Sequence, residues 1–505
     1  MRLFRIFIIA IALLAGGCTA SIEKEAVYFQ EDTVKVLRNP LSGWVMYLGR
    51  SFDENFWEQY GYDNMPTSEG TEVRVSDYAV CAYIRTSWSS LEPEEGHYAW
   101  DDPDSRLNRL LQSCLARDMR LAFRIVVDGR DQGQNTPLYV RDAGAEGFTS
   151  RLGEKEVFTP YADDPVFQEK YSAFIHALAT YFNDPDKMEF IDAYGLGKWG
   201  EGHAVVYKDN ANKIPVFEWI TSLYTECFTK IPLLVHYHRV LGDPNQDSYG
   251  EVSPDTEGML ASCIDKGYSL RHDAFGMTGY YEDWEKEYAA RWRFRRPIVM
   301  EGGWITGAHH RYWRDPSGKY REGHSEDVRL GEFEASAEGH VNMMDFRIND
   351  ETRSWFGTSF DLVKRFIAEG GYRLYPDMAA APSSVKSGSK ATVISRWNNS
   401  GWGYCPNNIP QWNYKYKVAA AVLDEDGNPV RLAVDEQSDP SKWLKGSPYT
   451  SKVKISTEGL APGTYRWAAG IVDTSRDNIA GLELALPGTD IAGNGWAVIK
   501  PFTVN

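Results

Sequence analysis

The sequence predicts an α/β chain in two parts, a (β/α)8 TIM barrel followed by a C-terminal all-β sandwich domain. Three observations predict it. Eight apolar, strand-like runs alternate with helix-like segments through the first two thirds of the chain. From about residue 373 the pattern changes to short alternating strands with Ser, Gly and Pro punctuation. No G-x-G-x-x-G follows the first strand and no Walker sequence occurs, so the doubly wound nucleotide-binding folds lose their main support.

The N-terminus precedes the fold. Arg2 and Arg5 form a positive n-region, Ile6 to Leu14 a short apolar h-region, and "AGGC" ends at Cys18. The apolar run is too short to span a bilayer, so residues 1–17 are expected to be a secretory signal. Small residues before a cysteine resemble the bacterial lipobox, which implies an acylated Cys18, a lipid-bilayer anchor and an extracytoplasmic position in the cell envelope. An acidic leader or tether, 18–37, follows. Loss of residues 1–17 removes two arginines and no acid, so the formal charge goes from −17 to −19. Such a body repels phosphate backbones, which argues against nucleic acid, and mildly disfavours polyanionic glycans. Beyond Cys18 five cysteines remain, scattered and without a CxxC pair, so neither a zinc knuckle nor a disulfide scaffold is expected.

The barrel is expected over 38–372. Its strand candidates are GWVMYLG (43–49), YAVCAYIRTSW (78–88), RLAFRIVVDG (120–129) and MEFIDAYGLGKWGEGH (188–203). IPLLVHYH (231–238), YSLRHDAFG (268–276), RRPIVMEGGW (295–304) and HVNMMDFR (340–347) complete the set. Continuous apolar runs mark strands buried on both faces of a parallel sheet. Between them lie helical patterns: Leu107, Leu110, Leu111 and Leu115 share one face, as do Phe167, Tyr171, Phe174, Ile175, Leu178 and Phe182. Further helices are expected near 215–229, 254–266, 281–293, 327–339 and 354–369. The sandwich is expected over 373–505, where YKYKVAAAVLDEDGNPV (414–430) reads as strand, DG turn, strand.

A barrel gathers its reacting groups at the C-terminal ends of its strands. Two glutamates leave near-opposite strands, Glu201 after the fourth and Glu301 after the seventh, each flanked by glycine and tryptophan. Glycosidic cleavage needs such a pair, one carboxyl protonated and the other ionised. An apolar wall such as Trp199 is expected to favour the proton on Glu201. Arg85, Trp88, Arg124, Trp199, His203, His238, His272, Asp273 and Trp304 lie at or near the strand ends and are expected to line the substrate. The high aromatic load, 13%, fits rings that stack on sugars as well as large cores. His309 and His310 are expected on the rim. His236 and His238 alternate and could hold a metal with Asp273, a rival that predicts loss of activity with a chelator.

Here the chain resembles the clan of retaining glycoside hydrolases that carry glutamates on barrel strands four and seven. RTSWSSLEPEEGHYAWDD (85–102) is similar to that clan's second-strand block, with an Arg before a Trp and a Pro-Glu-x-Gly-x-Tyr turn. RNPLSGW, WGEGH and GLELALPGTDIAGNGWAVIKPFTV resemble segments of Bacteroidetes-type lipoproteins built from such a barrel and a β-sandwich. The resemblance implies Glu201 as acid/base, Glu301 as nucleophile and Arg85 beside the nucleophile. It implies an oligo- or polysaccharide substrate, expected as a β-linked neutral glycan, and no cofactor. The clan's Asn before the acid/base is Gly200 here, and its strand-six Tyr has only His272 or Tyr280 as stand-ins. Those departures leave a second expectation, a non-catalytic surface glycan-binding lipoprotein on a degenerate barrel.

Overall fold

In the computed structural model, which describes residues 26–49, 55–242, 252–305, 313, 315, 317–493 and 495–505, eight strands close into a parallel barrel in sequence order. They are β1 (Gly43–Gly49), β2 (Ala79–Ser87), β3 (Arg120–Val126), β4 (Met188–Asp192), β5 (Leu233–His236), β6 (Ser269–His272), β7 (Ile298–Met300) and β8 (Met343–Asp345). Each lies within one of the eight apolar runs, and β8 returns to β1 with Met343 beside Gly43 and Asp345 beside Val45. Cys18, His309 and His310 lie outside the described residues. Among the described residues no helix is long and apolar enough to cross a membrane.

The helices that wrap the barrel start where capping chemistry allows. Ser105 accepts from the Asn108 N–H at the head of Arg106–Leu115, and Asp164 does the same from Phe167 ahead of Pro165–Phe182. Glu282 and Glu285 form a capping box for Asp283–Trp292. An antiparallel hairpin, Gly147–Leu152 with Lys155–Pro160, is inserted after β3. It was not expected, because its mixed polar sequence carries little periodicity.

Strand alternation sorts the barrel residues by face. Trp44, Ile84, Phe123, Ile191, Val235 and Met300 join the core beneath the helices. Val45, Cys81, Ala122, Phe190, Leu234, Val299 and Met343 point inward and form an apolar floor. Two residues further along, the same inward face carries Tyr47 and Tyr83 on β1 and β2, and Arg124, Asp192, His236, Glu301 and Asp345 on or just past β3, β4, β5, β7 and β8. A charged layer therefore sits directly on an apolar one.

The C-terminal part consists of two antiparallel-based sheets. One is ordered Val27–Tyr28, Leu374–Ala380, Lys390–Asn399 and Tyr449–Ser456. The other is ordered Ser384–Val385, Trp496–Val504, Gly463–Asp473, Tyr416–Leu423 and Pro429–Asp435. Trp397, Val393, Ile455, Trp467 and Phe502 are buried between them, with Trp467 stacked on Phe502 at 3.9 Å. Within the leader expected over 18–37, Val27 pairs with Ala379 and Tyr28 with Met378, so this part forms an edge strand of the sandwich. The sandwich core and the barrel floor belong to one buried cluster through Leu41, Tyr372, Cys405 and Tyr416. Asn342, just before β8, ties the junction by donating to the carbonyls of Leu41 (3.0 Å) and Tyr404 (2.8 Å).

A shared core predicts shared unfolding. Calorimetry of residues 26–505 is expected to give one transition, and a chain ending at residue 372 is expected to lose its fold, because truncation exposes the floor. Two well-separated transitions would contradict the continuity of that core.

Candidate active site

Arg124 rises from β3 into the barrel with no solvent exposure. Its Nε donates to Asp192 Oδ2 at 2.9 Å, Nη1 to Glu201 Oε1 at 2.5 Å and Nη2 to Glu301 Oε2 at 2.6 Å. Nη2 also donates to His236 Nε2, which leaves that ring protonated at Nδ1. One guanidinium thus bridges both glutamates. Arg271 Nε adds a bond to Glu301 Oε2 at 3.1 Å, and Arg347 Nη1 one to Oε1 at 2.7 Å. Arg347 Nη2 donates to Asp273 Oδ1. Arg85 Nη1 donates to Glu201 Oε1 at 3.3 Å, and Tyr83 OH to Asp192 Oδ2 at 2.7 Å. Glu201, Asp273 and Glu301 each place one carboxylate oxygen within 4.8 Å of the other two.

These contacts decide the charges. Burial alone would raise the Glu301 carboxyl, but Arg124, Arg347 and Arg271 hold it well below the usual range. Burial also opposes ionisation of Glu201, and Arg124 with the His203 contact brings it down to about 2. That reverses the expectation of a proton on Glu201, since its surroundings are cationic and not an apolar wall. Trp199 instead meets His203 edge-on at 5.8 Å. Asp273 behaves oppositely: burial and the neighbouring Glu201 raise it to about 7 against the pull of Arg347. Burial likewise raises Asp345 to about 6. Burial keeps His236 and His238 neutral and lowers His272 to about 3.

Glu201 does not stand at a strand end. β4 stops at Asp192, and the chain then folds back through a glycine ribbon in which Gly202 N donates to Leu196 O at 2.9 Å and Lys198 pairs with His203. Gly200 has φ +75°, and a Cβ there would lie 3.1 and 3.2 Å from Arg124 Cδ and Cγ. The arginine fills the space that the clan's asparagine would need, which accounts for the departure noted in the sequence. The strand is shorter than the run expected over 188–203 because the apolar sequence continues past the last ladder bond.

The other expected residues separate into groups. Arg85 reaches Glu201 and is not the arginine on Glu301, a place taken by Arg124, Arg271 and Arg347. Arg124 is the sealed hub and not an open contact. Trp88 leaves the site: it is fully buried outside the barrel, donates to Glu92 Oε2 at 2.7 Å and packs on Tyr171 and Phe174. Trp304 is 44% exposed at the rim, with the Arg347 guanidinium 4.9 Å over its ring. His203, His238 and His272 are buried around Glu201 and Asp273. His238 Nε2 donates to the Glu201 carbonyl at 2.7 Å, and the His203 ring lies tilted 4.2 Å from that of His238. His272 bonds the Asp273 carbonyl and Tyr280 bonds His203, so neither orients Glu301. His236, His238 and Asp273 do not assemble as ligands; the acidic trio that does converge already has Arg124 and Arg347 among its oxygens. Asp192, Asp345 and Arg347 were not singled out from sequence. Their signal was the period-two continuation of inward positions on β4 and β8.

No family model matches this sequence, and no curated protein matches it. Among solved structures it is similar to endo-glycoceramidase II from Rhodococcus sp., with 14% identity, TM-score 0.38, and 85% of this chain and 99% of that chain covered. It is similar to the catalytic domain of a β-amylase from Paenibacillus polymyxa, with 8% identity, TM-score 0.42 and coverage of 65% and 99%. It is also similar to xylanase 10B from Thermotoga maritima, with 10% identity, TM-score 0.36 and coverage of 61% and 83%. Likenesses at this level assign no chemistry to this chain's residues.

The crowding at Gly200 is testable. Gly200→Ala is expected to lower stability by about 1–3 kcal/mol, from the left-handed backbone and the contact with Arg124. An unchanged denaturation midpoint would contradict that packing.

Proposed function

We propose that this chain hydrolyses glycosidic bonds of a β-linked neutral glycan with retention of configuration, and that it works outside the cytoplasm, anchored through an acylated Cys18. The observation that carries the reading is the convergence of Glu201, Asp273 and Glu301 within 4.8 Å at the barrel mouth, with Glu301 held ionised by three guanidinium groups. Retaining hydrolysis wants two carboxyl groups about 5–5.5 Å apart, whereas inversion wants roughly 6.5–9.5 Å to admit water. Glu301 is the group kept ready to attack the anomeric carbon. Trp304 offers an exposed ring on which a sugar can stack, with Trp199 partly exposed beside the Glu201 ribbon. A protonated carboxyl beside the leaving oxygen completes the requirement. Water is the second substrate and no cofactor takes part.

One observation favours a second reading, a non-catalytic surface glycan-binding lipoprotein. Glu301 has no exposure, and Arg124 ties both glutamates together beneath the mouth. A screen of neutral plant and microbial β-glycans separates the two. Turnover is expected, with Glu301→Gln slower by at least about a thousandfold and the first-formed product carrying the substrate's anomeric configuration by NMR. Full turnover in Glu301→Gln would overturn the hydrolase assignment. Tight glycan binding with no turnover in the parent chain would establish the second reading.

A further inference from the structure

We propose that Asp273, and not Glu201, is the carboxyl that hands a proton to the leaving oxygen. This rests on the glycosidase reading and names the donor within it.

Three geometric observations point to Asp273. First, it follows the end of β6 and shares the 4.8 Å cluster, so it stands as near to Glu301 as a retaining pair requires. Second, of the three carboxylates it is the one that meets solvent: its side chain is 22% exposed, against 3% for Glu201 and none for Glu301. A donor must reach the glycosidic oxygen, and Asp273 lies on the open side. Third, Glu201 has more cationic and polar partners than Asp273: two arginines on Oε1 and His203 Nε2 3.5 Å from Oε2, against Arg347 alone. Glu201 Oε1 accepts N–H groups from Arg124 and Arg85, neither of which can give up its positive charge. Asp273 accepts from Arg347 on Oδ1, and among the described residues Oδ2 accepts no hydrogen bond, so that oxygen has room for a proton.

The groups facing Asp273 agree. Arg347 comes from beyond β8, Glu301 from beyond β7, Glu201 from the ribbon after β4 and Arg124 from β3; His272, its neighbour on β6, is neutral. Burial and two carboxylates outweigh the arginines and lift the Asp273 carboxyl to about 7, near the working range of a general acid at neutral pH. Glu201 then acts as a fixed negative charge that keeps the proton on Asp273. It is a positioning residue.

The step balances as follows. A Glu301 oxygen forms a bond to the anomeric carbon as the C–O bond to the leaving group breaks. The electron pair of that bond goes to the glycosidic oxygen, which takes the proton from Asp273 Oδ2. Water next attacks the anomeric carbon and gives a proton to the Asp273 carboxylate, while Glu301 departs as a carboxylate.

The test compares Asp273→Asn, Glu201→Gln and the parent chain on aryl β-glycosides with acidic and with poor leaving groups. Asp273→Asn is expected to keep turnover on the acidic leaving group within about tenfold and to lose roughly a hundred- to ten-thousandfold on the poor one. Azide is expected to rescue it, yielding a β-glycosyl azide. Glu201→Gln is expected to move the alkaline limb to lower pH and, at a pH below that limb where the substrates are compared, to slow both alike. The parent chain's turnover is expected to hold on the acid side, where Glu301 stays ionised, and to fall as pH rises through about 7, where Asp273 loses its proton. Asp273→Asn should abolish that alkaline limb. A leaving-group split found in Glu201→Gln instead, in an active enzyme, overturns the donor role alone. Absence of turnover in the parent chain on every glycoside overturns the hydrolase reading and the donor role together. Should Asp273→Asn fail to fold, the parent profile decides: a fall near pH 7 supports the donor, and activity level well into alkaline pH overturns it.

Discussion

A guanidinium shut away from water has to be neutralised where it stands, and Arg124 is such a group. Three carboxylates and a histidine surround it, each placed by a different part of the barrel: Asp192 on β4, Glu201 on the ribbon after it, His236 on β5 and Glu301 just past β7. Removing one partner of such a buried pair costs about 3–5 kcal/mol, because the remaining charges are left uncompensated. Arginine suits the place and lysine does not, since four acceptors face it and an ammonium has only three N–H donors where the planar fork has five. The same side chain fills the space beside Gly200 and so fixes the path by which Glu201 arrives.

The charged layer rests on an apolar floor that continues into the sandwich. That continuity gives the sandwich a mechanical role in the account: it closes the lower end of the barrel and leaves the upper end as the place where polar groups meet solvent. Across the layer a gradient follows. Glu301 lies sealed among three arginines, Glu201 is nearly sealed between Arg124 and Arg85, and Asp273 reaches outward. Charge state follows the arginine contacts and not depth: burial raises every one of these carboxyls, the guanidinium groups on Glu301 and Glu201 outweigh it, and Asp273, bonded to Arg347 alone, stays raised.

Much of this was legible in the sequence. Apolar runs bounded by helical patterns located all eight strands, and strand-end position brought Glu201 and Glu301 forward as a pair. Other parts were hidden for identifiable reasons. Trp88 was read as a mouth residue because it ends an apolar run, yet the chain turns into a helix there and carries the ring outward. The resemblance places Arg85 beside Glu301, yet it reaches Glu201, because which strand-end groups meet depends on side-chain reach across a closed ring. Asp192, Asp345 and Arg347 were passed over although period-two counting from Phe190 and Met343 puts them on the inward face. The pairing of Val27 with Ala379, far apart in the chain, has no local signature at all.

Arg124, Arg271 and Arg347 surround Glu301, and in the proposed hydrolysis they hold it as the ionised group that bonds to the sugar. Treatment with a fluorinated glycoside that stalls the glycosyl-enzyme, followed by digestion and mass spectrometry, addresses it most directly. One added sugar per chain is expected, on the peptide containing Glu301 and lost in Glu301→Gln. Attachment to Glu201 or Asp273, or turnover of the reagent with no covalent adduct, would contradict it.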